Sequence, residues 1–244
     1  MRRAKAVGFA AAAAVTVSLL AGCGEVGGEG AAHPIVIGST DNRMSTLDPA
    51  GTYDIGPWTL FTNTFQTLLR FPHDGSVPQP EAAERCEFTD QTSTEYRCTM
   101  RTGLKFANGH TLDAEDVEFS IQRIGRIADD GGPASLFSNI DRVEAPDETT
   151  VVFHLRKPDA TLPFILATPA ASIVDSEVYP PDRLIGKDQI VGSGPYVLDT
   201  FERAKGDPER VLQAVFTRNT NYSGAVEPRN DAFRIRYFND PDAM

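Results

Sequence analysis

The chain has 244 residues, 41% of them hydrophobic, and carries 34 acidic side chains against 23 basic ones, a formal charge of −11. That length allows one large domain or two small ones. The acidic excess argues against nucleic acid as a partner, because phosphate backbones are held by basic patches.

Arg2, Arg3 and Lys5 give the chain a positive start, and residues 6–20 then run without a charge, mostly as alanine, valine and leucine. This is the pattern of a secretory signal segment, expected over residues 1–22. The run falls short of the about 20 residues needed to cross a hydrocarbon core of roughly 30 Å as a stable helix. Leu20-Ala21-Gly22-Cys23 closes it and resembles the lipobox, in which a branched residue and two small ones precede a lipid-bearing cysteine. Cys23 is therefore the expected lipidation site, holding the exported protein to the outer face of the cytoplasmic membrane. The residues that normally surround a twin-arginine pair are missing around Arg2-Arg3, so general secretion is expected. Residues 24–32 are rich in glycine and alanine, with Val26 the one large apolar side chain, and read as a flexible tether. Arg2, Arg3 and Lys5 are the bases before Cys23 and no acid precedes it, so cleavage leaves 20 bases against 34 acids, a charge of −14.

Residues 33–244 hold the folded part, in which short apolar strands alternate with a few helical stretches. Ile35-Val36-Ile37 is a β-branched run ending at Gly38 and is expected to open a sheet. Residues 58–69 carry Phe61, Phe65, Leu68 and Leu69 at helical spacing, which predicts one amphipathic helix with a buried face. Residues 87–97 centre on the polar cluster 90–94, flanked by Phe88 and Tyr96, as in a β-hairpin with a longer loop. Cys86 and Cys98 lie symmetrically about that turn, and export puts them in an oxidising compartment, so a structural disulfide is favoured over two buried thiols. Asp113 with Asp116 three residues later predicts a capping box, opening a helix with Val117, Ile121 and Ile124 on its buried side. Residues 149–155, 211–216 and 234–238 read as strands. The fold class is mixed α/β.

Chemistry is hard to find. His33, His73, His110 and His154 are scattered without a second ligand at metal spacing, so no metal site and no cofactor is expected. Gly192-Ser193-Gly194-Pro195 is the nearest approach to a nucleophile elbow, but the proline blocks the helix that must follow, and the segment reads as a turn. Glu115, Asp116 and Glu118 sit near a helix start, where the dipole favours carboxylates without any acid–base role. No glycine-rich phosphate loop is present. The residues describe a binding protein better than an enzyme.

Several segments, in order, sharpen this. Thr46-Leu47-Asp48-Pro49, Phe65-Gln66-Thr67-Leu68-Leu69 and Pro78-Gln79-Pro80-Glu81-Ala82-Ala83-Glu84 come first. Residues 96–119 follow, with Thr102-Gly103-Leu104-Lys105-Phe106, Asn108-Gly109 and Leu112-Asp113-Ala114-Glu115-Asp116-Val117. Residues 147–155 then precede a helix at 158–166, and Gly192-Ser193-Gly194-Pro195-Tyr196 and Arg218-Asn219-Thr220-Asn221-Tyr222-Ser223-Gly224 complete the set. This series resembles the family 5 extracellular solute-binding proteins, the peptide- and nickel-binding components of ABC importers. Met100, His110-Thr111 and Asp113 depart from the family's usual leucine, proline and threonine, all tolerable changes.

The resemblance implies the first lobe of a class II periplasmic-binding-protein-like fold, in which two lobes close on a ligand and the closed form docks on permease subunits. Family members continue into a second lobe, so residue 244 reads as a truncation, and a lone lobe is expected to expose apolar surface and to be poorly stable. The function implied is capture of a peptide or a related small solute. The alternative is a tethered relic without ligand affinity. Candidate ligand contacts are Ser39, Thr40, Asp41 and Asn42 at the end of the first strand, where ligands often bind, with Tyr53, Trp58 and Phe137 behind them. For these aromatics core packing is at least as good a reading. Oligopeptide, dipeptide, nickel-chelate and sugar importers share this pattern, so the ligand stays open.

Overall fold

Two four-stranded sheets organise residues 35–186 and 188–244, the part described by this computed structural model. The expected signal segment, Cys23, the expected tether and His33 lie outside the described residues. Among the described residues no helix is long and apolar enough to cross a membrane.

The first sheet is antiparallel, in the order β4 (Ala83–Phe88), β5 (Glu95–Met100), β7 (Thr150–Leu155) and β6 (Ile140–Asp147). Period-2 alternation turns Tyr96, Cys98 and Met100 of β5 inward. The hairpin expected around residues 90–94 is present, and its register sets Cys86 opposite Cys98 with their Cα atoms 4.1 Å apart, joined as a disulfide. Asp90 closes the turn by accepting from the Thr94 amide at 2.9 Å, and Ser93 takes a left-handed φ of 54°.

Helix α2 (Ala114–Ile127) covers this sheet. Asp113 caps it: one carboxylate oxygen accepts from the amides of Glu115 and Asp116 at 2.9 and 3.4 Å, and Asp116 returns the bond to the Asp113 amide at 3.2 Å. Val117, Ile121 and Ile124 form the buried face, as the spacing predicts.

The second sheet runs β1 (Ile35–Ser39), β10 (Ala232–Tyr237), β9 (Asp207–Arg218) and β8 (Tyr196–Ala204), with β1 parallel to β10 and the rest antiparallel. Helix α1 (Ile55–Thr64) packs on it through Leu60 and Phe61, and Phe216 stacks on Phe233 at 4.5 Å inside this second core. β1 forms as expected, but Ile35, Val36 and Ile37 stay 47%, 56% and 45% exposed, so its apolar sequence is not spent on a core.

Two sequence expectations need correction. The helix predicted over 58–69 stops at Thr64, and Phe65 is already extended at φ −119° and ψ 157°. Thr59, Asn63 and Thr64 turn their side chains back onto backbone carbonyls, a habit that weakens helices. The Thr64 carbonyl, free at the helix end, is taken by the Gly194 amide at 2.9 Å. Leu68 and Leu69 are buried, but in the other core, Leu69 leading β2 (Leu69–Arg70), which pairs with β3 (Gln79–Pro80). The helix expected over 158–166 shrinks to a single turn, α3 (Leu162–Ile165).

An ion pair crosses the middle of the fold. Arg123 on α2 is 1% exposed and grips Asp48, 0% exposed, through both Nη atoms at 2.7 and 2.6 Å. Asp48 also accepts from the amides of Ala50 and Ile185, and Arg123 donates to the carbonyls of Pro180 and Arg183. Four of the five guanidinium N–H groups and both carboxylate oxygens are engaged, close to the full pairing under which a buried charge pair is tolerated.

Candidate functional site

At the end of α1 that carries Phe61, Thr62 and Asn63, a cavity of about 1300 Å³ opens, walled by β2, β3, the Pro169–Ser172 turn and the loop 222–230. The sequence motifs build its frame by holding each other. The Gly192 carbonyl accepts from the Ala107 amide and the Gly194 amide donates to Thr64, both at 2.9 Å. A Cβ on Gly192 would fall 2.0 Å from the Thr64 oxygen and one on Gly194 2.5 Å from the Thr64 carbonyl carbon, so glycine is required by close backbone approach at both positions. The Ser193 side chain between them is fully buried and its Oγ has no partner among the described residues.

Asn219 donates its Nδ2 to the Gly194 carbonyl at 2.8 Å and its amide to Pro195 at 2.9 Å, while Asn221 Nδ2 donates to Ala107 at 3.1 Å. Tyr222 donates its hydroxyl to Glu81 Oε1 at 2.9 Å and accepts from the Val226 amide at 3.2 Å. Gly224 leaves room for this, since a Cβ there would lie 2.2 Å from the Tyr222 oxygen. Burial, and then the Glu81 charge, push the Tyr222 phenol above its ordinary range, so it stays a neutral donor.

Glu81 is the charged centre of the frame. Only 6% exposed, it receives Gln66 Nε2 at 3.3 Å as well as Tyr222 on Oε1, and its Oε2 lies 3.2 Å from Arg70 Nε. That contact has ion-pair distance but not hydrogen-bond alignment, and both atoms are shut off from solvent. Around the rim His73, Asp74, Glu227 and Arg229 are exposed.

The sequence candidates fall elsewhere. Ser39 lines a smaller depression of about 340 Å³, which shares Asn63, Tyr196 and Asn230 with the main cavity. Its hydroxyl accepts from the Asp41 amide at 3.1 Å. Thr40 and Asp41 are exposed beyond it, and Asn42 is engaged with the Phe238 carbonyl and Asn239 Oδ1 at 3.1 and 2.9 Å. Tyr53 and Trp58 pair edge to face at 5.0 Å toward the other end of α1, and neither borders the cavity. Phe137 packs within the core, 6% exposed. The fold thus brings Ser39 near the cavity and leaves the aromatics away from it.

One cluster has no local metal spacing, because its parts are far apart in sequence. His110 Nδ1 lies 2.8 Å from Asp175 Oδ2 and 3.7 Å from Glu177 Oε1, close enough for three donors to share a cation. Asp175 is already engaged on both oxygens, accepting from Asn108 Nδ2 at 2.7 Å and from the Glu177 amide at 2.9 Å besides its contact with His110. The arrangement reads as a structural clasp between two loops.

Residues 77–244 match the family model for bacterial extracellular solute-binding proteins, family 5 (middle). The chain belongs to the family 5 extracellular solute-binding proteins. The probable D,D-dipeptide-binding periplasmic protein DdpA of Escherichia coli (strain K12) is 31% identical over 199 residues, covering 78% of this chain and 36% of that protein. The glutathione-binding protein GsiB of Salmonella paratyphi A (strain ATCC 9150 / SARB42) is 30% identical over 176 residues, covering 71% and 33%. The chain spans about a third of the length of these curated relatives. Among solved structures, the pheromone receptor PrgZ superposes with a TM-score of 0.73 at 20% identity, over 86% of this chain and 44% of that one. Clavulanic acid biosynthesis oligopeptide binding protein 2 gives 0.69 at 25% identity, over 86% and 41%. The fold is therefore part of a class II periplasmic-binding-protein-like architecture. Family 5 members are extracytoplasmic, which fits the Cys86–Cys98 bridge.

Proposed function

We propose that this chain forms the first lobe of a substrate-binding lipoprotein that captures a peptide, or a related small solute, for an ABC importer. The observation that carries the reading is the cavity of about 1300 Å³ framed by the family's own motif loops. It exceeds the roughly 300–1000 Å³ of common small-ligand pockets, and its lining mixes aromatic side chains with polar groups and exposed backbone turns. Peptides suit such a wall, since main-chain hydrogen bonds and waters hold them with loose side-chain selection. The names of DdpA, for a D,D-dipeptide, and of the oligopeptide binding protein, at 25% identity, support a peptide over a metal chelate or a sugar.

Cys23 is proposed to carry the lipid, with residues 24–32 as the tether that keeps the lobe near its permease. Calorimetric titration with alanine tripeptides tests capture: saturable heat is expected, and its absence across peptides of two to five residues would favour the non-binding relic. Metabolic labelling with a radioactive fatty acid tests the anchor. Label is expected on the protein and should vanish in Cys23→Ser, with the variant released from the membrane fraction.

A further inference from the structure

We infer that Arg70 is the residue through which the cavity recognises a carboxylate on its ligand, an inference that rests on the reading of the cavity as a ligand site. Three observations converge on it. Arg70 ends β2 inside the cavity wall, half-buried, while the other basic groups there, His73 and Arg229, stand exposed at the rim. Its Nε is turned to the buried Oε2 of Glu81 at 3.2 Å. Among the described residues neither Nη of Arg70 donates to any protein group, and neither is shut off from solvent, in contrast to Nε.

The buried carboxylate explains the geometry. Glu81 is held from its own side by Gln66 and Tyr222 on Oε1, and its backbone is pinned by Arg101, whose Nε donates to the Glu81 carbonyl at 2.8 Å. Its Oε2 holds the near edge of the guanidinium at ion-pair distance. The two Nη groups, unpartnered in the cavity wall and open to solvent, are left as a fork for a ligand. Planar anions match such a fork two-for-two, which neither an ammonium nor a neutral amide donor can copy. Glu81 cannot compete for a ligand cation, because Oε2 is sealed from solvent and Oε1 is taken. Asp74 and Glu227 at the rim are exposed, and water screens them from the wall.

The carboxylate has two sources, a peptide's C-terminus or an acidic side chain, and the experiment separates them. The protein is titrated calorimetrically with Ala-Ala-Ala, with Ala-Ala-Ala amide and with Ala-Glu-Ala amide. At least one carboxylate-bearing probe is expected to bind roughly 10- to 100-fold more tightly than the plain amide. Preference for Ala-Ala-Ala assigns the terminal group, and preference for Ala-Glu-Ala amide the side chain. Arg70→Gln is expected to erase the preference, bringing the carboxylate-bearing probe to the affinity of the plain amide, and Arg70→Lys to restore only part of it. Where Arg70→Gln alone misfolds because Glu81 is left unpaired, Arg70→Gln with Glu81→Gln removes both charges and asks the same question. Equal binding of all three probes, or a preference that survives loss of Arg70, overturns the assignment and leaves peptide capture standing. Absence of binding by any probe overturns both.

Discussion

Two of the arginine–carboxylate pairs in this lobe, each with a buried carboxylate, are built for different ends. Arg123 and Asp48 lie in the middle of the fold with every side-chain nitrogen and both carboxylate oxygens engaged by each other or by backbone groups. Arg70 and Glu81 lie in the cavity wall, where the carboxylate is spent but half of the guanidinium is not. A closed pair stitches loops together across the fold and leaves nothing for a ligand. An open pair stabilises less, and keeps a directed donor in reserve.

The largest effect should come from breaking the closed pair. Asp48→Ala leaves a buried guanidinium uncompensated and is expected to cost about 3–5 kcal/mol in equilibrium denaturation; a loss under about 1 kcal/mol would mean that the core pair is solvated. Next, replacing Cys86 and Cys98 together by serine should cost roughly 2–4 kcal/mol by freeing the unfolded chain, read from the denaturation midpoint under non-reducing conditions. By contrast, Arg70→Gln with Glu81→Gln should change stability by less than about 1 kcal/mol, since the open pair contributes little once both charges leave together. A larger loss would show that the two pairs do the same job.

The smallest effect concerns acid. Burial holds the Asp116 carboxyl above its ordinary value of 3.8, against the opposing hydrogen bonds from Ser176 and Asp113. A folded-state pKa above the unfolded one means that the charged form costs stability at neutral pH, and that this cost is relieved as the pH falls through the raised value. Asp116→Asn should therefore flatten the stability profile just above pH 3.8, a change visible in melts taken across that window, and NMR titration of Asp116 should give a midpoint above 3.8.

Local patterns carried far. The capping box at Asp113 and the hairpin that sets Cys86 against Cys98 were legible because each rests on groups joined by a short stretch of chain. Periodicity misled at residues 58–69, where Leu68 and Leu69 keep helical spacing but belong to a different core. Where the helix ends, the Gly194 amide takes the Thr64 carbonyl from far along the chain. The site was the least legible part. Ser39 borders a depression that adjoins the cavity, whereas Arg70 falls just past one motif and Glu81 inside the next, and nothing near either in sequence marks them as facing each other.

The sequence by itself determined the mixed α/β class, the disulfide and the family, all written in adjacent residues or in the order of short motifs. Only the tertiary structure decided that Asp48 meets Arg123 across 75 residues, and that Tyr222 reaches Glu81 across 141. Hydrogen-bond partners separated by that much chain are selected by packing and desolvation, which depend on the shape of the whole fold. A charged side chain read along the chain therefore shows its charge, and the fold shows whether that charge is closed upon itself or free to meet a ligand.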